Sequence, residues 1–256
     1  MRPPVSRGLR MLSIYLEILQ GKGSGAGWDM TAEVDVALRF LPEGDATVFD
    51  VGANRGHWSR DVRARRPAVR TRIFQFEPST TCQETLRASQ HAETTIIGKA
   101  VGETAGNVTF FVPEPGSGIS SVHRQRDSYF QEFKYIEETV PMTTLDEVIG
   151  EQGITRVDYM KMDVEGNELA AMRGAKKSLE AGIIRALAFE FGSSQINARV
   201  YFHDFWDFLH PLGFQLGRIC PGGGYFPVNE YYEDLEYFRG ATNYVAYLPA
   251  DVRPNR

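Results

Sequence analysis

From residue 47 onward the chain alternates short apolar runs with amphipathic stretches, and that alternation leaves few architectures open. Residues 47–51 read as a strand, 58–66 as a helix ended by Pro67, and 71–76 as the next strand. Residues 79–89 are helical with Ser79 as cap, and 94–97 form a third strand. The series resumes with a strand at 157–162, a helix at 168–181 closed by Gly182, a strand at 185–191 and a helix at 201–210 ended by Pro211. Late strands fall at 214–219 and 243–248, with a glycine- and tyrosine-rich loop between them. Between the two series, 107–112 reads as an extra strand, 113–118 as a loop and 129–139 as a polar-aromatic segment without a clear period. Strands alternating with helices imply an α/β fold, a parallel sheet with helices on both faces. Such sheets bind ligands beyond the carboxyl ends of their strands.

Ahead of this series, residues 1–20 suit an amphipathic helix that docks on the domain or a partner. Residues 21–27 suit a flexible joint, and 31–41 a helix stopped by Pro42. The expected division is a helical extension over 1–42 and one domain over 43–256. The apolar stretch 11–19 contains Glu17 and is too short to span a membrane. Cys82 and Cys220 give neither metal-ligand spacing nor a disulfide framework, which fits a reducing, cytoplasmic setting. The net charge of −5 disfavours nucleic acid as the main substrate. The basic run 60–72 reads as a solvated helix face.

The strand ends carry the chemistry. After the first strand comes Asp50-Val51-Gly52-Ala53-Asn54-Arg55-Gly56. Gly52 can make the tight turn off the strand, and Asn54 tolerates a left-handed backbone. Gly56 lets the loop meet the next helix closely. A loop of this kind is expected to turn backbone N–H groups toward a nucleotide-like cofactor. Asn54 stands where the dinucleotide motif has its second glycine, and no P-loop lysine follows. The second strand ends Gln75-Phe76-Glu77-Pro78, where Glu77 can accept hydrogen bonds from ribose hydroxyls and Pro78 fixes the turn. Both NAD and S-adenosylmethionine satisfy these features. A later strand end reads Lys161-Met162-Asp163-Val164-Glu165-Gly166-Asn167-Glu168. Carboxylates this close repel unless a cation, a proton or a sulfonium offsets them. Glu168 also suits the start of a helix.

The ordered strings Val48-Phe49-Asp50-Val51-Gly52-Ala53-Asn54-Arg55-Gly56, Phe76-Glu77-Pro78, Thr144-Leu145-Asp146, Lys161-Met162-Asp163-Val164-Glu165-Gly166 and Phe189-Glu190 resemble the signatures of FkbM-family methyltransferases. The resemblance covers residues 47–191 well and the tail weakly. Gly98-Lys99-Ala100-Val101 departs from the family, which more often shows Asn before Ala-Val. The resemblance implies a Rossmann-like class I methyltransferase fold, a seven-stranded sheet whose final strand is antiparallel. It implies S-adenosylmethionine as cofactor and O-methylation of a sugar, glycan or natural-product hydroxyl. Asp50, Gly52, Asn54 and Gly56 would line the methionine and ribose part of the cofactor. Glu77 and Pro78 would hold the ribose, Val101 would flank the adenine, and Asp163 would sit near the methionine end.

A hydroxyl acceptor needs its proton removed. Glu165, Glu190 and His203 are the residues that could take it. Glu190 lies between two phenylalanines, which suits a raised pKa. His203 lies in the aromatic stretch 201–206, where most histidines are structural. His57 could contact the acceptor. Asp163, Glu165 and Glu190 could also hold a divalent cation, although no ligand spacing identifies a metal site. The hydroxyls of Ser117, Ser120 and Ser121 could bond cofactor or acceptor. The aromatic and acidic residues 222–234 fit either a wall for a polyhydroxylated acceptor or the edge of a homodimer. Two other readings use the same fold: a nicotinamide-dependent oxidoreductase and a catalytically silent binding protein.

Overall fold

The computed structural model describes residues 3–23, 30–126 and 134–249. The apolar runs become strands β1 (Ala46–Val51), β2 (Thr71–Phe76) and β3 (Thr94–Ile97). A short β4 (Ala100–Val101), β5 (Gly106–Val112) and β6 (Ile136–Thr143) follow. The chain then forms β7 (Tyr159–Met162), β8 (Ala186–Gly192), β9 (Gln215–Cys220), β10 (Gly224–Val228) and β11 (Ala241–Tyr247). Among the described residues the main sheet has the order β10-β9-β11-β8-β7-β1-β2-β3, and β4-β6-β5 form a small second sheet. β1 pairs in parallel with both β2 and β7, while β11 runs antiparallel between β8 and β9. The expected seven strands with a reversed last one are therefore present. β10 extends them as a hairpin partner of β9. The chain leaves β1 toward β2 on one side and returns to β7 on the other, which opens a crevice at their carboxyl ends.

Helices cover both faces: α1 (Pro3–Leu19), α2 (Met30–Phe40), α3 (His57–Ala64), α4 (Thr80–Ala88), α5 (Leu145–Glu151), α6 (Glu168–Arg173), α7 (Lys176–Glu180), α8 (Ser194–Ala198) and α9 (Phe202–Leu209). Alternation along the strands sorts the core. Val48 and Tyr159 join Val34, Ala37, Phe40 and Trp58 of α2 and α3 on one face. Phe49, Met160 and Phe189 join Leu145, Leu169, Phe202 and Phe205 on the other. Burial on both faces explains why the central strands read as almost unbroken apolar runs.

Three local departures have physical causes. The helix expected over 168–181 is two helices. α6 ends at Gly174, which packs so close to Gly102 that a Cβ would lie 2.0 Å from its carbonyl oxygen, and whose own carbonyl accepts the Asp146 N–H at 3.0 Å. The Asp146 carboxylate then accepts the backbone N–H groups of Lys177 and Ser178 and starts α7. The late glycine-rich segment is partly strand β10. The segment 129–139 yields the start of β6, whose Phe110-facing pairing with β5 supplies the order its composition hides, while 129–133 lie outside the described residues. Of the joint at 21–27, Lys22 is buried and pairs with Asp234 at 2.6 Å, and 24–27 lie outside the described residues.

α1 is anchored near its end, where Glu17 meets Arg239 at 3.6 Å and the Gln20 carbonyl accepts Arg218 at 2.6 Å. Leu9, Leu12 and Leu16 are exposed. α2 packs against the sheet, with Val34, Val36 and Ala37 fully buried. Among the described residues no helix is long and apolar enough to cross a membrane.

Candidate active site

A cavity of about 530 Å³ opens at the carboxyl ends of β1, β2 and β7. Its floor is the loop after β1. Gly52 has φ 82°, and Asn54 has φ 47°, the left-handed conformation its short amide allows. Gly56 has φ 72° and caps α3. The loop's N–H groups, however, are turned inward. Gly52 and Ala53 both donate to the Phe76 carbonyl at 3.0 Å, and Gly56 donates to the Ala53 carbonyl at 2.8 Å. Asn54 donates to Glu77 Oε2 at 2.8 Å. The loop thus shapes the cavity by close backbone approach. The expectation that it presents its N–H groups to a ligand is corrected for these four residues, because the Phe76 carbonyl, Glu77 and the loop's own Ala53 carbonyl already accept them.

Glu77 is buried and lines the cavity beside Pro78. Its Oε1 accepts the Ser79 N–H at 2.8 Å. Burial pushes its pKa up to about 7, although the N–H bonds from Ser79 and Asn54 pull the other way. One N–H per oxygen leaves lone pairs free to accept hydroxyls. Val101 lines the opposite wall with Lys99 and Ala100. Asn167 reaches that wall by donating to the Val101 carbonyl at 2.8 Å.

Asp163 and Lys161 form the far end. Lys161 Nζ lies 3.1 Å from Asp163 Oδ2 and 3.9 Å from Asp50 Oδ1. Burial alone would lower the lysine's pKa, but Asp163, Asp50 and Glu33 outweigh it and raise the value. Asp50 itself is fully buried beneath the loop, where its Oδ2 accepts Ser59 Oγ at 2.5 Å. It is not among the cavity-lining residues, and neither is Gly56. Among the described residues, the Nε1 of the lining residue Trp58 has no hydrogen-bond partner, and Asp50 Oδ1 has only the longer ion pair with Lys161. Unsatisfied buried polar atoms beside a cavity are what a polar ligand would complete.

Glu165 and Glu190 are half-buried and are not among the cavity-lining residues, although both feel the charge of Asp163. Burial raises the pKa of Glu165 well above the usual carboxylate range, and Asp163 and Glu168 raise it further. Burial does the same to Glu190, with Asp163, Glu165, Glu168 and Glu33 adding to it. The fold therefore brings Asp163, Glu165 and Glu190 within electrostatic reach of one another. Among the described residues no group of three His, Cys, Asp or Glu side chains is arranged to hold a metal ion.

Glu168 is a fastener for this loop. Its carboxylate accepts the Val164 and Gly166 N–H groups at 2.9 and 3.0 Å and Gln195 Nε2 at 2.7 Å. His203 is elsewhere: it is exposed on α9, 3.5 Å from Asp207, with its ring against Tyr231. His57, Ser117 and Ser120 line the cavity, while Ser121 is buried and donates to the Glu165 carbonyl at 2.7 Å.

Sequence reasoning did not find Glu33. It arrives from α2, accepts Asn243 Nδ2 at 2.6 Å, and is pushed up to about 7 by burial. Met30 and Trp58, both lining residues, were also unmarked. A heptad-like apolar pattern in residues 31–41 points α2 at the core but gives no sign of which strand ends it crosses.

Comparison with known proteins agrees with this geometry. The family model described as the methyltransferase FkbM domain matches residues 50–216, more than half of the chain. The 2-O-methyltransferase NoeI of Sinorhizobium fredii is 26% identical over 156 residues, covering 56% of this chain and 62% of the relative. The hexuronic acid methyltransferase AglP of Haloferax volcanii is 26% identical over 160 residues, covering 60% of each. The crystal structure of methyltransferase FkbM from Methylobacillus flagellatus KT has a TM-score of 0.48 and 16% identity, with 80% of this chain and 44% of that chain covered. The chain spans about three-fifths of the length of these two curated relatives. With its glycine loop, Glu77 and Asp163 all inside the matched span, the chain belongs to the FkbM methyltransferase family, whose cofactor is S-adenosylmethionine.

Proposed function

We propose that the chain methylates a hydroxyl oxygen of a sugar, glycan or related natural product. The observation that carries this reading is that Glu165 and Glu190 lie within electrostatic reach of the cavity residue Asp163, behind the lining, both with raised pKa values. A sugar hydroxyl is a weak nucleophile, and a carboxylate with a pKa moved toward neutrality is suited to accept its proton. When bound, S-adenosylmethionine supplies a methyl carbon made electrophilic by its sulfonium.

The chain's own residues divide the remaining work. Glu77 accepts ribose hydroxyls, Val101 and Pro78 pack the flat adenosine part, and Asp163 with Lys161 holds the charged methionine end. Met30 and Trp58 close the cavity beside them and exclude water from the reacting atoms. Glu190 or Glu165 takes the proton while the acceptor is held in line. The printed names of the relatives, a 2-O-methyltransferase and a hexuronic acid methyltransferase, support an oxygen acceptor on a sugar. The methyltransferase family match removes the support for a nicotinamide-dependent oxidoreductase.

Labelled S-adenosylmethionine offered with sugars, sugar nucleotides, glycolipids, polyketides and RNA tests the reading. A methyl ether on a polyhydroxylated acceptor is the expected product. Transfer to RNA alone would overturn it.

A further inference from the structure

A second groove of about 420 Å³ lies beside the cofactor cavity, with Val122, His123, Arg124, Arg126, Asn197 and Arg199 on its walls. Val122 also lines the cavity, and His123 Nε2 lies 3.3 Å from Oδ1 of the cavity residue Asn167. The two spaces are therefore neighbours.

The chemistry of the groove is one-sided. Three arginines share it in a chain of net charge −5. Among the described residues no carboxylate lies within ion-pairing distance of any of them, whereas Arg65, Arg70, Arg156, Arg173 and Arg239 all have one. Guanidinium groups gathered without a counter-charge repel one another, and an anion relieves that repulsion while matching their planar forks.

The backbone that carries the arginines is also held in place. The Arg126 N–H donates to Asn197 Oδ1 at 3.1 Å, and Asn197 Nδ2 donates to Gln125 Oε1 at 2.7 Å. Gln125 is almost fully buried, and its Nε2 donates to the Glu165 carbonyl at 3.2 Å. Ser121 Oγ donates to that same carbonyl and accepts the His123 N–H at 2.9 Å. The Arg124 guanidinium stands over the Tyr135 ring at 5.8 Å. Arg199 closes α8 with φ 58°, a left-handed conformation that is unfavourable for an arginine and normal for glycine. One bonded frame thus fixes both the loop of Glu165 and the arginine groove.

We propose that Arg124, Arg126 and Arg199 bind an anionic group carried by the methyl acceptor, a phosphate or a carboxylate near the hydroxyl that reacts. This deepens the reading of the acceptor as a sugar-like molecule and rests on it. Three arginines in a groove of this size favour a small anionic acceptor over a nucleic-acid backbone, which needs an extended basic track.

Calorimetry on the full chain with S-adenosylhomocysteine bound compares glucose, glucose 1-phosphate, glucuronate and a short single-stranded RNA. A phosphate titration followed by NMR accompanies it. At least one anionic sugar should bind tenfold or more tightly than glucose, and inorganic phosphate should shift resonances of the groove. Glucose 1-phosphate ahead assigns a phosphate, and glucuronate ahead assigns a carboxylate. The triple variant Arg124→Gln, Arg126→Gln, Arg199→Gln should lose the preference and the phosphate shifts, with affinity for S-adenosylhomocysteine unchanged. Arg199→Gly, which relaxes the backbone, should lose affinity for the anion while keeping full thermal stability. Glucose binding as tightly as both anionic sugars, RNA binding ahead of them, retention of the preference in the triple variant, or no phosphate binding by the native chain would each overturn the proposal. Failure to bind S-adenosylhomocysteine would count against the methyltransferase reading alone, because the phosphate titration does not depend on it.

Discussion

A Cβ added to Gly52 would lie 1.8 Å from the carbonyl oxygen of Asp163. The two strand ends that bracket the cavity, β1 and β7, touch through a glycine that has no room for a side chain. The left-handed φ of 82° adds a conformational cost of roughly 1–2 kcal/mol for alanine. Gly52→Ala should lower the melting temperature by about 4 °C or more, since 1 kcal/mol moves a domain of this size by about 2–4 °C. It should also weaken S-adenosylhomocysteine, because the clash displaces the loop that carries Asn54 or the β7 end that carries Asp163. Scanning calorimetry with unchanged melting and unchanged affinity would contradict the tight approach.

Glu77 bridges Asn54 and Ser79 while facing the cavity. Glu77→Ala removes the acceptor for the ribose hydroxyls, a charge-assisted bond worth roughly 1.5–3 kcal/mol. The dissociation constant for S-adenosylhomocysteine should rise about 10- to 150-fold in isothermal titration. Native affinity in the variant would show that the ribose lies elsewhere.

Glu165→Gln and Glu190→Gln keep shape and remove charge. The variant at the residue that takes the acceptor proton should lose roughly 10²–10⁴ in turnover with little change in cofactor affinity. Because both pKa values are raised, the native rate should climb with pH above the ordinary carboxylate range, as the base loses its proton. That rising limb should vanish in the inactive variant. Full turnover in both variants would assign the proton to another group or to water.

Glu33, Glu77 and Glu168 each have a folded pKa raised from 4.5 to about 7, with burial as the largest cause. The folded state holds these protons more tightly than the unfolded chain does. Their contribution to stability is complete below about pH 4.5 and is lost as pH rises through about 7. Glu33→Gln can keep the acceptor for Asn243 while abolishing the titration. The fall in urea-unfolding free energy between about pH 5 and about pH 8 should be smaller in this variant. An equal fall in both proteins would remove Glu33 from the buried proton-binding set.

The parts that a local rule controls were legible in the sequence. Asn54 adopts φ 47° because its residue type tolerates it, and Glu77 sits at a strand tip because Pro78 ends the strand. The alternation of strand and helix sufficed for the central sheet. What escaped depends on long-range packing. Glu33 reaches Asn243 across 210 residues, and His123 meets Asn167 across 44. The inward turn of the loop N–H groups is set by the Phe76 carbonyl on another strand. At the break around Gly174, Asp146 donates to the Gly174 carbonyl and accepts the N–H groups of Lys177 and Ser178, a partner that a helical pattern in residues 168–181 cannot reveal.

β4 and β6 are neighbours in the small sheet, with Val101 opposite Thr143. The chain between them makes an excursion that ends beside its starting point, and it carries the cavity wall at Ser117 and Ser120 together with Arg124 and Arg126. Closing such an excursion becomes only slowly harder as it lengthens. This segment can therefore be shortened, extended or exchanged during evolution while Gly52, Glu77 and Asp163 stay in place on the main sheet. Grafting the excursion from a relative would therefore exchange one wall of the cavity and the arginine groove together, while the strand ends that carry Gly52, Glu77 and Asp163 keep their places.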